Sequence, residues 1–342
     1  MIKKIALVLL LAVIALAGSA YYQVMVIPAV PKSLDAPVTV TIPAGTDYEG
    51  VMNILALEGV EPNRTVFDPL AERMAYKRAD MRTGRFDLAP GLSYVGLIRA
   101  LRSGKRGTAN VVLNVEREPE HVAAKVARFL EPDSLAFVRL MQDEEYITSL
   151  GYTKETLHTL FIPNTYNLYW HSTPREFMER MVIEHDKFWD ADGRREKAAA
   201  LGLSPAEVYT LASIVEKESL VASEQPRIAG VYLNRLDRGI PLQADPTAVF
   251  ATRDFGVKRV LNRHTEFDNP YNTYVYAGLP PGPIAMPSLG SIDGVLNPES
   301  HDYIYFCARG DTSGQHNFAE TLAGHGRNIT IYVANLRRRG LR

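Results

Sequence analysis

The alternation of apolar and polar residues divides the chain into three kinds of pattern. Residues 5–20, "IALVLLLAVIALAGSA", carry no charge, and the apolar run continues through Tyr21 and Tyr22 to Ile27. A helix of about 20 apolar residues crosses a bilayer, so this stretch is long enough for one span. Next comes a proline-marked segment, "PAVPKSLDAP", predicted as a linker over 28–37. Short alternating runs follow, "VTVTI" (38–42) and "TGRFDLAP", each leading through a turn into a helical period. "IPAGTDYEGV" and "LAPGLSYVGL" echo one another as apolar residue, Pro-Gly turn, Tyr and helix. Two copies fall short of a solenoid but predict a small β-α-α-β unit followed by a further turn and helix, "LSYVGLIRALRSG", with Gly104 as its stop. "NVVLNVE" (110–116) reads as a strand feeding the helix "PEHVAAKVARFL", and the sequence is helix-rich from there to about residue 200.

The helix expected over "LASIVEKESLVASE" (211–224) raises the chemical question. At about 100° per residue, Val208, Leu211, Val215 and Ala222 share an apolar stripe. Glu218, seven residues after Leu211, falls on it, whereas Glu216 and Lys217 point elsewhere. A carboxyl held among apolar side chains has its charged form disfavoured and keeps its proton to higher pH, which suits a general acid. A structural hydrogen-bond anchor on the same stripe is the plainer alternative. Ser213 has no base near it in sequence. Glu224 reads as an exposed cap or salt-bridge residue.

Downstream, "VYLNRLDRG" is a helix ending at Gly239, and "LQADPT" fixes a turn at Asp245-Pro246. "NPYNTYVYAGLPPGPIAMP" (269–287) is too rich in Pro and Gly for a regular helix and predicts a rigid, shaped loop. The aromatic run "LFIPNTYNLYW" (160–170) suits either a sugar-stacking surface or a core strand and loop. His316 and His325 are nine residues apart and match no usual metal spacing, so zinc is not expected. No Walker loop or Rossmann glycine run is present, and no metal or organic cofactor is called for.

Composition narrows the classes. The 342 residues carry a formal net charge of −1, which gives no global field for nucleic acid. The basic run "LRRRGLR" at the C-terminal end reads as a solvated tail. One cysteine, Cys307, permits no intrachain disulfide; within "YIYFCAR" it is expected to be a small buried hydrophobe. Lys3 and Lys4 would hold the N-terminal end in the cytoplasm, placing the rest outside; a signal peptide cleaved after Ala20 is the rival reading.

"LASIVEKES", "VASE", "VYLNRL", "LQADPT", "PYNTY", "GLPPGPIAMP" and "HNFAETLAGH", in this order, resemble the YceG/MltG family of endolytic murein transglycosylases, over roughly 38–342. The resemblance implies an α+β fold with a cytoplasmic stub and anchor (1–27), a linker (28–37), a LysM-like module (38–108) and a YceG-like catalytic domain (109–342). It carries the family's catalytic glutamate onto Glu218, the residue the stripe had already singled out. It further implies cleavage of the MurNAc-β-1,4-GlcNAc bond to 1,6-anhydro ends, on the outer face of a bacterial inner membrane and near peptidoglycan synthases. Substrate contacts are expected from Gln243, Asp245, Asn272 and Tyr274, each of which also suits a purely structural loop role. One departure is Asn164, where the family usually has aspartate; Met286 is another, with no consequence expected. A glycan-binding scaffold without catalysis and a hydrolase using Asp245 as a second carboxylate are the competing classes.

Overall fold

The computed structural model describes residues 2–78, 81–103, 107–257 and 259–341; the expected helix stop Gly104 lies outside them. The fold is mixed α and β, with three two-stranded sheets among the described residues. The chain separates into two compact units. One comprises Met1–Asn110, Phe129–Pro132 and Asn167–Thr173; the other comprises Val111–Arg128, Asp133–Tyr166 and Pro174–Arg342.

The first unit begins with α1 (Ile2–Met25), within which Lys4–Met25 is long and apolar enough to cross a membrane. Then come β1 (Val38–Ile42), α2 (Tyr48–Leu57), α3 (Arg64–Arg73), β2 (Gly84–Leu88) and α4 (Tyr94–Ser103). The expected β-α-α-β order is present, and β1 and β2 pair antiparallel with Val40 opposite Phe86. Alternation sends Val40, Ile42, Phe86 and Leu88 inward onto Val51, Leu55, Phe67, Leu97 and Ile98, while Thr39 and Asp87 hydrogen-bond on the outer face. The echo in sequence is an echo in structure. Gly45 and Gly91 both take positive φ, 76° and 79°, three residues before a helix starts at Tyr48 or Tyr94. Asp47 and Ser93 then accept the amide hydrogens of Gly50 and Gly96. The expected linker is docked at its start: Ala29 and Val30 are buried, and their amides donate to Leu92 O.

The second unit carries the candidate chemistry. Its elements, with the strands at its margin, are β3 (Thr108–Leu113), α5 (Pro119–Val126), α6 (Ser134–Met141), α7 (Glu144–Ser149), β4 (Asn164–Tyr169), α8 (Pro174–Asp190), α9 (Arg194–Ala200) and α10 (Pro205–Glu218). After these come α11 (Gln225–Asp237), α12 (Asp245–Thr252), α13 (Asn262–Thr265), α14 (Leu289–Leu296), β5 (Tyr305–Ala308), β6 (His316–Ala319) and α15 (Leu322–Arg338). β3 pairs with β4, and β5 pairs antiparallel with β6. Helices α10, α11 and α14 pack together at the centre.

The aromatic run of 160–170 resolves in part as core. Phe161 is fully buried and stacks on Phe177, and Tyr166 is buried with its hydroxyl on Ile162 O; Tyr169 stays exposed. The C-terminal basic run is no free tail over Arg337–Arg339: the first two residues end α15, and Arg339 donates to Gly310 O and Asp311 O. Cations there oppose the negative end of the helix dipole.

Candidate active site

Helix α10 is set by a capping box, in which Ser204 and Glu207 bond each other's backbone, with Pro205 at the first helical position. From Val208 to Val215 every residue is buried, so the helix is enclosed on all sides instead of burying one stripe. It also stops earlier than expected. Glu218 is its last residue, Ser219 caps it in extended conformation, and Ala222–Glu224 form a separate 3-10 turn leading into α11. The carboxyl thus projects from a helix C-terminus, where the last carbonyls make an anion unfavourable.

Glu218 remains partly exposed, but protein atoms crowd its carboxyl. Burial raises its pKa to about 7; the Tyr232 hydrogen bond opposes the shift and the Asp245 charge adds to it. Tyr232 Oη donates to Glu218 Oε1 at 2.7 Å. Burial and the facing carboxyl push the Tyr232 phenol well above its ordinary value, so it stays a donor. Its ring meets the Phe306 edge at 5.8 Å, which fixes its direction.

Asp245 opens α12, and its carboxylate accepts from Tyr274 Oη at 2.6 Å. Gln243 holds positive φ (52°), an uncommon conformation for a residue with a side chain. Its amide donates to Thr273 O, and its side-chain oxygen accepts from Arg235 at 2.8 Å. Beneath this turn a buried pair, Thr247 and Thr273, shares a 2.7 Å hydroxyl contact.

Glu218, Asp245 and Tyr332 line two adjoining cavities, of about 740 and 580 Å³. The acid therefore stands at the junction of a two-lobed cleft. The larger lobe carries Arg117, Lys217 and Arg259 among Val249, Phe250 and Phe255. The smaller carries Arg235, Gln243, Tyr274, Tyr305, His316 and His325. One face of α15 runs along both, with Leu322, His325 and Ile329 on one lobe, Leu336 on the other and Tyr332 on both. Among the described residues, no group of three His, Cys, Asp or Glu could hold a metal ion.

A proton-retaining carboxyl where two cavities meet is equipped for general acid–base chemistry, and the comparisons point to a family. The model of the YceG-like family matches residues 40–331. The chain belongs to the YceG-like family. It is 27% identical over 334 residues to a Bacillus subtilis protein named endolytic murein transglycosylase, covering 93% of this chain and 91% of that one. A Streptococcus pneumoniae protein of the same name is 28% identical over 364 residues, but the match spans 65% of its length. A crystal structure of a YceG-like protein from Listeria monocytogenes superposes with a TM-score of 0.57 at 25% identity, covering 86% of this chain and 99% of that one.

Within the YceG-like cleft the expected residues have different fates. Glu218, Gln243, Asp245 and Tyr274 converge on the smaller lobe. Asn272 does not reach the surface. It is fully buried, and its side-chain nitrogen donates to His264 O, Thr265 O and Phe267 O while its oxygen accepts from Tyr274 N. It shapes the loop that presents Tyr274. Asn164 is exposed, caps its own neighbour's amide and is not among the residues lining either lobe. Cys307, expected to be buried, is half-exposed on the smaller lobe.

Ser213 is structural, accepting from Ile284 N and donating to Thr210 O. Although burial opposes it, hydrogen bonds from Ser288 and Ser291 hold Glu216 below the usual carboxylate range, which ties α10 to the start of α14. Glu224 is buried, not exposed, and accepts from both His316 N and Nδ1. Sequence reading passed over Tyr232 and Tyr332. The signal for the second was present, since positions 322, 325, 329, 332 and 336 follow the helical period.

Proposed function

We propose that this chain is a membrane-anchored endolytic lytic transglycosylase of peptidoglycan, with Glu218 as its catalytic acid and base. The observation that carries the reading is Glu218 itself: a carboxyl raised to about 7 at the junction of two cleft lobes, bonded to Tyr232. The curated relatives' names supply the substrate class, murein.

A glycan strand lies along the cleft with the MurNAc-β-1,4-GlcNAc bond beside Glu218. Protonated near neutral pH, Glu218 gives its proton to the leaving glycosidic oxygen as the bond to the anomeric carbon breaks. The resulting carboxylate then takes the proton of the muramyl 6-hydroxyl, whose oxygen closes on the anomeric carbon to form a 1,6-anhydro end. Glycosidases that use water need a second carboxylate to activate it or to attack carbon. Here the nucleophile belongs to the sugar, so proximity replaces that group. Tyr232 steadies the carboxylate state between the two proton transfers. Asp245, held by Tyr274, keeps the acid's proton affinity high. Gln243 and Tyr274 offer polar contacts to the sugar, with Asn272 holding their loop.

Helix α1 would anchor the chain in the inner membrane with the catalytic unit in the periplasm, cutting strands as they emerge from peptidoglycan synthases. The β-α-α-β unit would act as the LysM-like glycan-holding module.

Asp245 on the same cleft favours one second reading, a hydrolase in which Asp245 activates water. End-group analysis of the products separates the two. Anhydro-muramyl ends in fragments of intermediate length support the transglycosylase. Reducing ends support the hydrolase and defeat the proposal.

A further inference from the structure

The larger lobe has a chemistry that bare glycan does not call for. Arg117, Lys217 and Arg259 are all exposed on it, and among the described residues none of the three is ion-paired to a carboxylate. Arg117 lies over the Phe255 ring at 3.8 Å, which holds the guanidinium in place without a carboxylate partner, although Asp245 and Glu218 line the same lobe. Val249, Phe250, Val257 and Val260 give the same lobe apolar walls. Sugar hydroxyls and acetamides need neither three cations nor this much aliphatic surface.

Arg117 and Phe250 also line a third cavity, of about 560 Å³. Its walls carry both signs of charge, with Lys154 and Arg253 against Glu118, Glu120 and Glu155. His158 stands there too, 3% exposed with a buried Nε2 that has no hydrogen-bond partner, and burial keeps its ring neutral. The cationic lobe thus leads away from Glu218 into a mixed-charge pocket. Each muramyl unit of murein bears a short peptide with several free carboxylates, methyl side chains and a few other polar groups. Such a peptide extends at roughly 3.3–3.6 Å per residue, and four or five residues would run from the sugar well along a path of this kind.

We propose that the larger lobe binds the peptide stem of murein through its carboxylates, with Arg117, Lys217 and Arg259 selecting strands that carry acidic stems. This assignment rests on the reading of the cleft as a murein-cleaving site.

The test compares two substrates with the full-length chain in detergent: purified uncrosslinked strands, and the same strands with stem carboxylates converted to methylamides. Wild type should cleave the acidic strands with a kcat/KM about five- to tenfold higher, mostly through KM, as a few exposed charge contacts allow. Raising salt should shrink that ratio. In Lys217→Gln/Arg259→Gln, two exposed positions whose replacement leaves the fold intact by circular dichroism, the ratio should fall toward one. Wild type cleaving both substrates equally, or the double variant keeping the full preference, overturns the stem site alone. Wild type inert on both overturns the murein-cleaving reading and the stem site with it.

Discussion

Tyr232 Oη stands 2.7 Å from Glu218 Oε1, donating a hydrogen bond that links the second helix of the central trio to the last residue of the first. The bond stabilises the ionised acid, whereas burial and the Asp245 charge stabilise the protonated one. The balance leaves the group titrating near neutrality, where one carboxyl can both give and take a proton.

That balance predicts two opposite shifts. Cleavage begins with protonated Glu218, so kcat/KM should fall as pH rises through about 7. Tyr232→Phe removes a bond that favours the anion and should move this limb to higher pH. Asp245→Asn removes a neighbouring negative charge and should move it lower. pH profiles of the three proteins on one glycan substrate check this. Shifts in the same direction would contradict the assigned electrostatics.

A stability consequence follows from the same group, independent of activity. Its pKa is about 7 in the folded chain, against the ordinary carboxyl value of 4.5 when unfolded. Below pH 4.5 both states hold the proton. Between 4.5 and 7 the unfolded chain releases it first, so folding weakens as pH rises, and above 7 the deficit is constant. Glu218→Gln, which cannot ionise, should therefore be more stable than wild type by about 1–3 kcal/mol at pH 8, with the gap closing toward pH 4. Denaturant titrations at the two pH values give the comparison.

Cys307 provides a reporter inside the smaller lobe. It is half-exposed, and burial pushes its thiol above the usual range, so alkylation should be slow at pH 7 and faster above pH 9. A bulky maleimide on it should reduce cleavage by about tenfold or more by filling the lobe, and glycan oligosaccharides should slow the labelling. Full activity of the labelled protein would place the glycan elsewhere.

Much of this was legible in the sequence where the signal is local. The alternation in "VTVTI" and the paired Pro-Gly-Tyr phrases mark the strands, the turns at Gly45 and Gly91 and the helices behind them, because each depends on backbone chemistry within a few residues. Glu218 was legible for a partly mistaken reason. A buried stripe singled it out, yet the structure ends the helix there and buries α10 all round. Periodicity alone does not show a helix end when "SLVASE" contains neither Gly nor Pro. Tyr232 was passed over, and Asn272 left open between sugar contact and loop support, for a different reason. Whether a tyrosine meets a carboxyl fourteen residues away, or an asparagine spends its amide on loop carbonyls, is decided by how elements pack. The two-lobed cleft depends likewise on α15, more than a hundred residues after Glu218.

The most direct measurement is mass spectrometry of purified murein strands after incubation with the full-length chain, wild type beside Glu218→Gln. Wild type should release fragments ending in 1,6-anhydro-muramic acid, and the variant, folded and still binding the strands, should release at least about a hundredfold fewer. Comparable anhydro ends from Glu218→Gln would contradict the central claim that this one carboxyl is the acid and base of the cleft.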